Sequence, residues 1–168
     1  MSLRRQIVQW IPHLRRYARG LLLDRELADD LVQETLLRAL AREQRWRPGS
    51  DLRAWLFTLM HNLFVSDYRR RCRSPLVAVD SLPERAAAGQ ADSDCRVRDV
   101  EQALQYLPPS WREVLLLVSL EGLSYTEVAR VLGIPVGTVM SRLHRARQRL
   151  AQLLEEGQPR LEVVHERE

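Results

Sequence analysis

The chain is predicted to be all-α, two small helical domains joined by a flexible linker. Three observations carry that prediction. Apolar residues recur at helical spacing along most of the 168 residues, and no convincing alternating strand occurs. Helix start and stop signals punctuate that pattern at regular intervals. From Ser74 to about Asp94 the periodicity dissolves into Pro75, Pro83, Gly89, several alanines and a surplus of acid, the composition of a linker.

The elements follow in order. Residues 3–19 make a first helix, with Gly20 as its stop. Asp24 is placed to cap a second helix running to about Glu43. Trp46-Arg-Pro-Gly-Ser is a loop, and Ser50 or Asp51 caps a third helix to about Arg71. The third helix carries an apolar stripe of Leu52, Trp55, Leu56, Leu59, Met60, Leu63 and Phe64. Order resumes near Cys95 with Val97, Val100, Ala103, Leu104 and Leu107. Pro108 and Pro109 break the chain, after which Ser110 and Glu113 offer a capping box for a helix ending at Gly122. The stretch after Gly157 reads as a frayed tail. The domain limits expected from this are 1–73, a linker over 74–95, 96–156, and a tail over 157–168.

Composition narrows the function classes. All 26 basic residues are arginine, which binds phosphate as a fork and stacks on bases. Residues 1–73 carry 15 Arg against 8 Asp and Glu, residues 74–99 are net acidic, and residues 100–154 are again net basic. Two basic blocks around an acidic stretch suggest two nucleic-acid contacts. No secretory segment opens the chain and no apolar run is long enough for a bilayer, so a cytoplasmic protein with reduced Cys72 and Cys95 and no membrane insertion is expected. His13, His61, His144 and His165 are scattered, so no metal and no other cofactor is expected.

Residues 124–147 are the most informative stretch. Ser124 and Glu127 form a capping box, Val128, Ala129 and Leu132 a buried stripe, and Gly133 a stop. Ile134 plugs the turn and Pro135 opens a second helix, the helix-turn-helix layout. On that second helix, at about 100° per residue, Val139, Leu143, Ala146 and Leu150 share one face. Ser141, His144, Arg145 and Gln148 share the opposite one, flanked by Arg147 on one side and Arg142 and Arg149 on the other. A major groove offers base edges in its floor and phosphates on its walls. Ser141, His144 and Arg145 suit the floor, and Arg142, Arg147 and Arg149 suit the walls. Thr138, in the first turn, completes the duplex-contacting set. A lone arginine-rich helix is most often simply solvated. Here capping box, glycine turn, proline and the small crossing residue Ala129 all agree on DNA.

Two further surfaces stand out. On the second helix Ala28, Val32, Thr35, Leu36 and Ala39 form a core face, while Asp30, Gln33, Glu34 and Leu37 lie opposite. One leucine among acceptor-rich side chains is either a docking patch for another helix or a solvated acidic face. On the third helix Arg53, His61 and Asn62 lie on the polar sides, and Arg69-Arg70-Arg71 with Arg73 closes it. With Trp46 in the loop before, these residues suit unstacked bases, although Trp46 also suits the core.

Taken together, Asp29-Asp-Leu-Val-Gln-Glu-Thr-Leu-Leu-Arg-Ala-Leu, Leu52-Arg-Ala-Trp-Leu-Phe-Thr-Leu-Met-His-Asn and the arginine run resemble region 2 of extracytoplasmic-function (ECF) sigma factors. Leu107-Pro-Pro-Ser-Trp-Arg-Glu-Val-Leu-Leu-Leu, Gly122-Leu-Ser-Tyr-Thr-Glu-Val-Ala and Pro135-Val-Gly-Thr-Val-Met-Ser-Arg-Leu-His-Arg-Ala-Arg resemble their region 4. The resemblance covers roughly residues 5–154, with the linker in the right place. It implies a region 2 bundle that docks Asp30, Gln33, Glu34 and Leu37 on the clamp helices of the largest subunit of core RNA polymerase. It implies that Trp46 and Asn62 grip flipped −10 bases, with Arg53, His61, Arg69 and Arg70 beside them, and that the region 4 face meets the −35 duplex. It implies a flap contact through the C-terminal domain and an anti-sigma factor as a further partner. The pattern breaks at Met140, where many members carry a basic residue. Two rival classes compete: a stand-alone repressor or activator, which would need a sensory pocket, and a recombinase-like enzyme, which would need a nucleophile or metal constellation that the sequence lacks.

Overall fold

Seven helices and no strand occur among the residues that the computed structural model describes, 3–73 and 93–156. The expected tail, and most of the expected linker, lie outside them. Lobe one consists of α1 (Leu3–Leu22), α2 (Arg25–Ala41) and α3 (Leu52–Arg73). Lobe two consists of α4 (Ser93–Gln105), α5 (Pro109–Ser119), α6 (Tyr125–Leu132) and α7 (Val136–Glu155). Helix α4 thus begins inside the stretch expected to be linker. Within lobe one α2 packs against α1 and α3; within lobe two α7 packs against α4, α5 and α6. The lobes also pack on each other, α6 against α3 and α5 against α1, and one continuous apolar core runs through both.

Local chemistry sets the ends. Asp24 accepts a hydrogen bond from Leu27 N at 2.9 Å and caps α2, while Asp51 accepts from Ala54 N at 3.0 Å and caps α3. Helix α2 ends at Ala41, before a single 3-10 turn at Glu43–Arg45. Ser124 and Glu127 form the expected reciprocal capping box, and Gly133 takes the left-handed conformation (φ 64°).

Several expectations are corrected. Helix α1 does not stop at Gly20 but runs to Leu22, and the left-handed residue is Leu23 (φ 58°). Gly20 serves a close approach instead: a methyl there would come within 3.0 Å of Leu116 Cδ2 on α5. Ser110 and Glu113 do not form a capping box. Pro109 begins α5, where its missing N–H costs nothing, so Ser110 lies already inside the helix. Helix α5 ends at Ser119, three residues before Gly122, across whose left-handed turn (φ 66°) Leu123 N donates to Leu117 O at 3.0 Å. Val97 and Val100 face outward, and α4 packs through Ala103, Leu104 and Leu107. Val131 is buried on α6 while Ala129 is only half-buried, because α6 is covered by α3 as well as α7. On α3, Phe57 is buried edge-on to Tyr17 while Trp55 is half-buried, again because lobe two covers the helix.

Arg112 joins these pieces. It is buried, and its guanidinium donates to Leu104 O (2.9 Å), Leu107 O (3.0 Å) and Gln105 O (3.4 Å) at the end of α4. It also donates to Leu21 O (2.6 Å) at the end of α1 in the other lobe. Each carbonyl is one that a helix end leaves without an intrahelical donor or that the following turn exposes. Burial lowers the Arg112 pKa from its ordinary 12.5, and the side chain stays charged at neutral pH. Arg112→Met leaves these carbonyls without that donor and is expected to lower unfolding free energy by about 3 kcal/mol, read from the urea midpoint. Ser124→Ala, which removes only a cap, is expected to cost about 1 kcal/mol in the same titration.

Candidate nucleic-acid interface

Helix α7 is positioned by its buried face, and its outer face follows from that. Val139, Leu143 and Ala146 are buried as expected; Leu153 takes the deepest position towards the end, with Leu150 half-buried beside it. Ser141, His144, Arg145, Arg147 and Arg149 are consequently exposed, while Thr138 and Arg142 are half-buried at the edges. Ser141 Oγ donates to Thr138 O at 3.1 Å, leaving the hydroxyl oxygen free to accept. Met140 is 53% exposed in the same row. All seven residues expected to meet duplex DNA therefore lie on one helix, on the arc away from the core.

The second set is divided. His61, Asn62, Ser66, Arg69, Arg70 and Arg73 line a shallow groove of about 590 Å³ along α3. Asn62 and Arg69 are exposed; Arg70 is exposed and pairs with Asp67 at 2.6 Å, a surface contact of small energetic weight. Trp46 is half-buried against the core, with its Nε1 buried and lacking a hydrogen-bond partner. Arg53 turns away from the groove towards lobe two. Its guanidinium lies 3.4 Å from both Glu127 Oε1 and Glu121 O, and 6.0 Å from the Trp10 ring centre. His61 lines the groove but also reaches across, its Nδ1 2.7 Å from Glu113 Oε1. An ionised carboxylate only accepts, so Nδ1 carries the proton.

On α2 the side chains of Asp30, Gln33, Glu34 and Leu37 are exposed, opposite the buried Ala28, Leu31, Val32, Thr35 and Ala39. Leu37 is 63% exposed. Glu34 pairs with Arg38 one turn on, at 2.9 Å. The four residues edge a groove of about 760 Å³ that also takes in Leu22, Tyr68 and Pro109. Its walls come from both lobes.

The residues that the sequence did not single out lie on the seam between lobes. Glu121, its side chain fully buried, accepts from Arg16 Nε at 3.1 Å and Arg16 Nη2 at 3.0 Å, with His13 Nδ1 at 2.9 Å. Glu113 is buried against His61. The Tyr17 hydroxyl is buried near both carboxylates without a hydrogen bond of ordinary geometry. The available signal was a charged residue beside the apolar run Val114–Leu117. Spacing alone assigned Glu113 to a cap instead. The Glu127 carboxyl is held below its ordinary value by hydrogen bonds from Ser124, first through the backbone N–H, and further by Arg53.

Residues 7–61 match the family model described as the Sigma2 domain of PhyR, and residues 98–150 match Sigma-70, region 4. The chain is 45% identical over 155 residues to the ECF RNA polymerase sigma factor EcfG of Rhodopseudomonas palustris (strain TIE-1), covering 91% of this chain and 85% of that one. Among solved structures it is similar to the sigma factor RpoE in complex with the anti-sigma factor NepR from Bartonella quintana. That likeness has 36% identity and a TM-score of 0.77, and covers 92% of this chain and 98% of that one. It is also similar to CnrH in complex with the cytosolic domain of CnrY, with 28% identity and a TM-score of 0.69 over 91% and 87% of the two chains.

Burial, and secondly the Glu113 charge, raise the Tyr17 pKa well above 10.0. A group raised on folding contributes stability that is intact below its ordinary value and is lost as pH rises towards the folded one. In an alkaline absorbance titration one of the four tyrosines is therefore expected to ionise only as tertiary structure melts. Four tyrosines ionising together in the folded chain would contradict this.

Proposed function

The chain belongs to the ECF group of RNA polymerase sigma factors, and from that premise we propose that it reads promoters through two separate contacts held on one polypeptide. Sigma factors are initiation factors rather than enzymes, and the partner that performs the chemistry is core RNA polymerase. The observation that carries the proposal is the exposed polar arc of α7, built opposite Val139, Leu143 and Ala146 and preceded by a capped, glycine-closed turn.

In this reading Ser141, His144 and Arg145 meet base edges of the −35 duplex, and Thr138, Arg142, Arg147 and Arg149 meet its phosphates. Met140 brings an apolar thioether to that surface, where it suits a thymine methyl better than a guanine edge. Asn62, His61, Arg69 and Arg70 meet the −10 strand along the α3 groove, and Arg53 joins them. Trp46 offers its exposed edge for stacking. Each captured base recovers about 1–3 kcal/mol by stacking, against an unpairing cost of a few kcal/mol. Melting can therefore be driven by binding alone. Because the two contacts share one chain and one enzyme, each can be weak on its own.

Asp30, Gln33, Glu34 and Leu37 are assigned to the clamp helices of the polymerase, with Leu37 as apolar anchor and the acceptors as its rim. The C-terminal lobe is assigned to the flap. Two solved relatives are held in complexes, one of them with an anti-sigma factor, which supports an inhibitory protein partner here too. No helix of the described residues is long and apolar enough to cross a membrane, and the site of action assigned is the cytoplasm, where transcription takes place.

The test is run-off transcription with core polymerase on a pool of random promoters, followed by sequencing of the templates used. Arg145→Ala is expected to reduce transcription from the selected promoters about tenfold or more, the equivalent of losing roughly 1–3 kcal/mol of base readout, while co-purification with core enzyme is unchanged. Glu34→Arg is expected to abolish co-purification; its retention on core polymerase would remove the α2 docking assignment.

A further inference from the structure

Four contacts across the seam share one polarity. Cationic or protonatable groups come from lobe one (His13, Arg16, Arg53 and His61), and carboxylates come from lobe two (Glu113, Glu121 and Glu127). Two of the lobe-one groups, Arg53 and His61, belong to the set assigned to the −10 strand. A carboxylate is the closest a side chain comes to a phosphate: an anionic oxygen that accepts from a guanidinium or imidazole N–H. Lobe two therefore presents to lobe one the chemistry that DNA would present.

Size makes a second argument, independent of charge. Elements named −35 and −10 lie about 25 base pairs apart, on the order of 80 Å at 3.4 Å per pair. A chain of this length folded compactly has a radius of gyration of only about 15 Å. The closed arrangement cannot reach both elements.

The seam is also shaped to close. Gly20 allows α5 to approach α1 so nearly that a methyl would meet Leu116 Cδ2 at 3.0 Å. Glu121, with no side-chain exposure, is satisfied by Arg16 and His13 of α1, and Arg112 reaches over to Leu21 O.

We infer that the packed form is autoinhibited by its own second lobe: Glu113 and Glu127 occupy His61 and Arg53 in place of the −10 strand, and the Glu121 cluster with the Gly20–Leu116 approach holds the lobes together. The inference rests on the assignment of Arg53 and His61 to single-stranded DNA. It makes opening of the seam a step that precedes −10 capture, and it makes strand affinity depend on the open fraction. When only a fraction of molecules is competent, the apparent dissociation constant is the intrinsic one divided by that fraction.

Glu121→Gln weakens the cluster, and Gly20→Leu wedges α5 away from α1; neither residue lies on a DNA-facing surface. Small-angle scattering on the full chain measures opening. Fluorescence anisotropy measures affinity for the −10 single strand of a promoter taken from the transcription selection, against a scrambled strand of equal composition. Both variants are expected to keep their helical circular dichroism, to show a larger radius of gyration, and to bind the −10 strand on the order of tenfold more tightly than wild type. Helical variants that stay as compact as wild type would show that these contacts do not hold the seam. Variants that open yet bind the −10 strand no better than wild type would overturn the inhibition while leaving −10 recognition in place. Equal binding of −10 and scrambled strands by wild type and both variants would instead remove the −10 assignment, and the inference with it.

Discussion

Arg112 sits where the ends of α1 and α4 converge, and much of the architecture follows from satisfying it and the carbonyls around it. A charge taken out of water needs partners on all sides. Here the partners are backbone oxygens from three consecutive turns of chain: the close of α1, the close of α4, and the strap that leads to Pro108. Because one of those oxygens belongs to the other lobe, the turn of lobe two is keyed to the C-terminus of α1. Helix α5 then lies along α1, and Glu113 and Glu121, carried on or just after it, are brought to His61, His13 and Arg16.

Most of the helices were legible because they obey local rules. Asp24, Ser124 and Gly133 act as their residue types suggest, and the alternation of apolar and polar positions along α7 divides it correctly into a core arc and an outer arc. Legibility failed where a residue answers to a neighbour distant in sequence. Gly20 looked like a terminator because glycine usually is one; its reason lies on α5. Glu113 looked like half of a cap because Ser110 stands three residues earlier; its reason is His61. Val131 and Phe57 were left out of their stripes because a wheel drawn for one packing partner is too narrow when two helices cover the surface. The recognition surface on α7 was readable for the converse reason. Nothing in the protein packs on it, so periodicity alone decides where it faces. Arg53 and His61 were correctly found on polar sides of α3, but no local signal could say that lobe two stands before them.

The seam combines two kinds of contact with different consequences. Its apolar part, α6 on α3 and α5 on α1, is non-directional and continuous with the core of each lobe. Its polar part is directional and can be satisfied in more than one way: carboxylates can be exchanged for phosphates or for water. A surface of this composition suits two arrangements better than one of leucine alone would, since exposing satisfied ions costs less than exposing hydrocarbon.

Trp10 lies at that boundary. Its indole is tilted against the His13 imidazole with ring centres 5.2 Å apart, and the Arg53 guanidinium stands 6.0 Å from its ring centre. Arg53 in turn touches the other lobe through Glu127 and the Glu121 carbonyl. Any parting of the halves releases that cation from its anchors and changes the polarity around the indole. The molecule thus carries a native chromophore whose emission colour and intensity follow the state of the joint, with no dye attached.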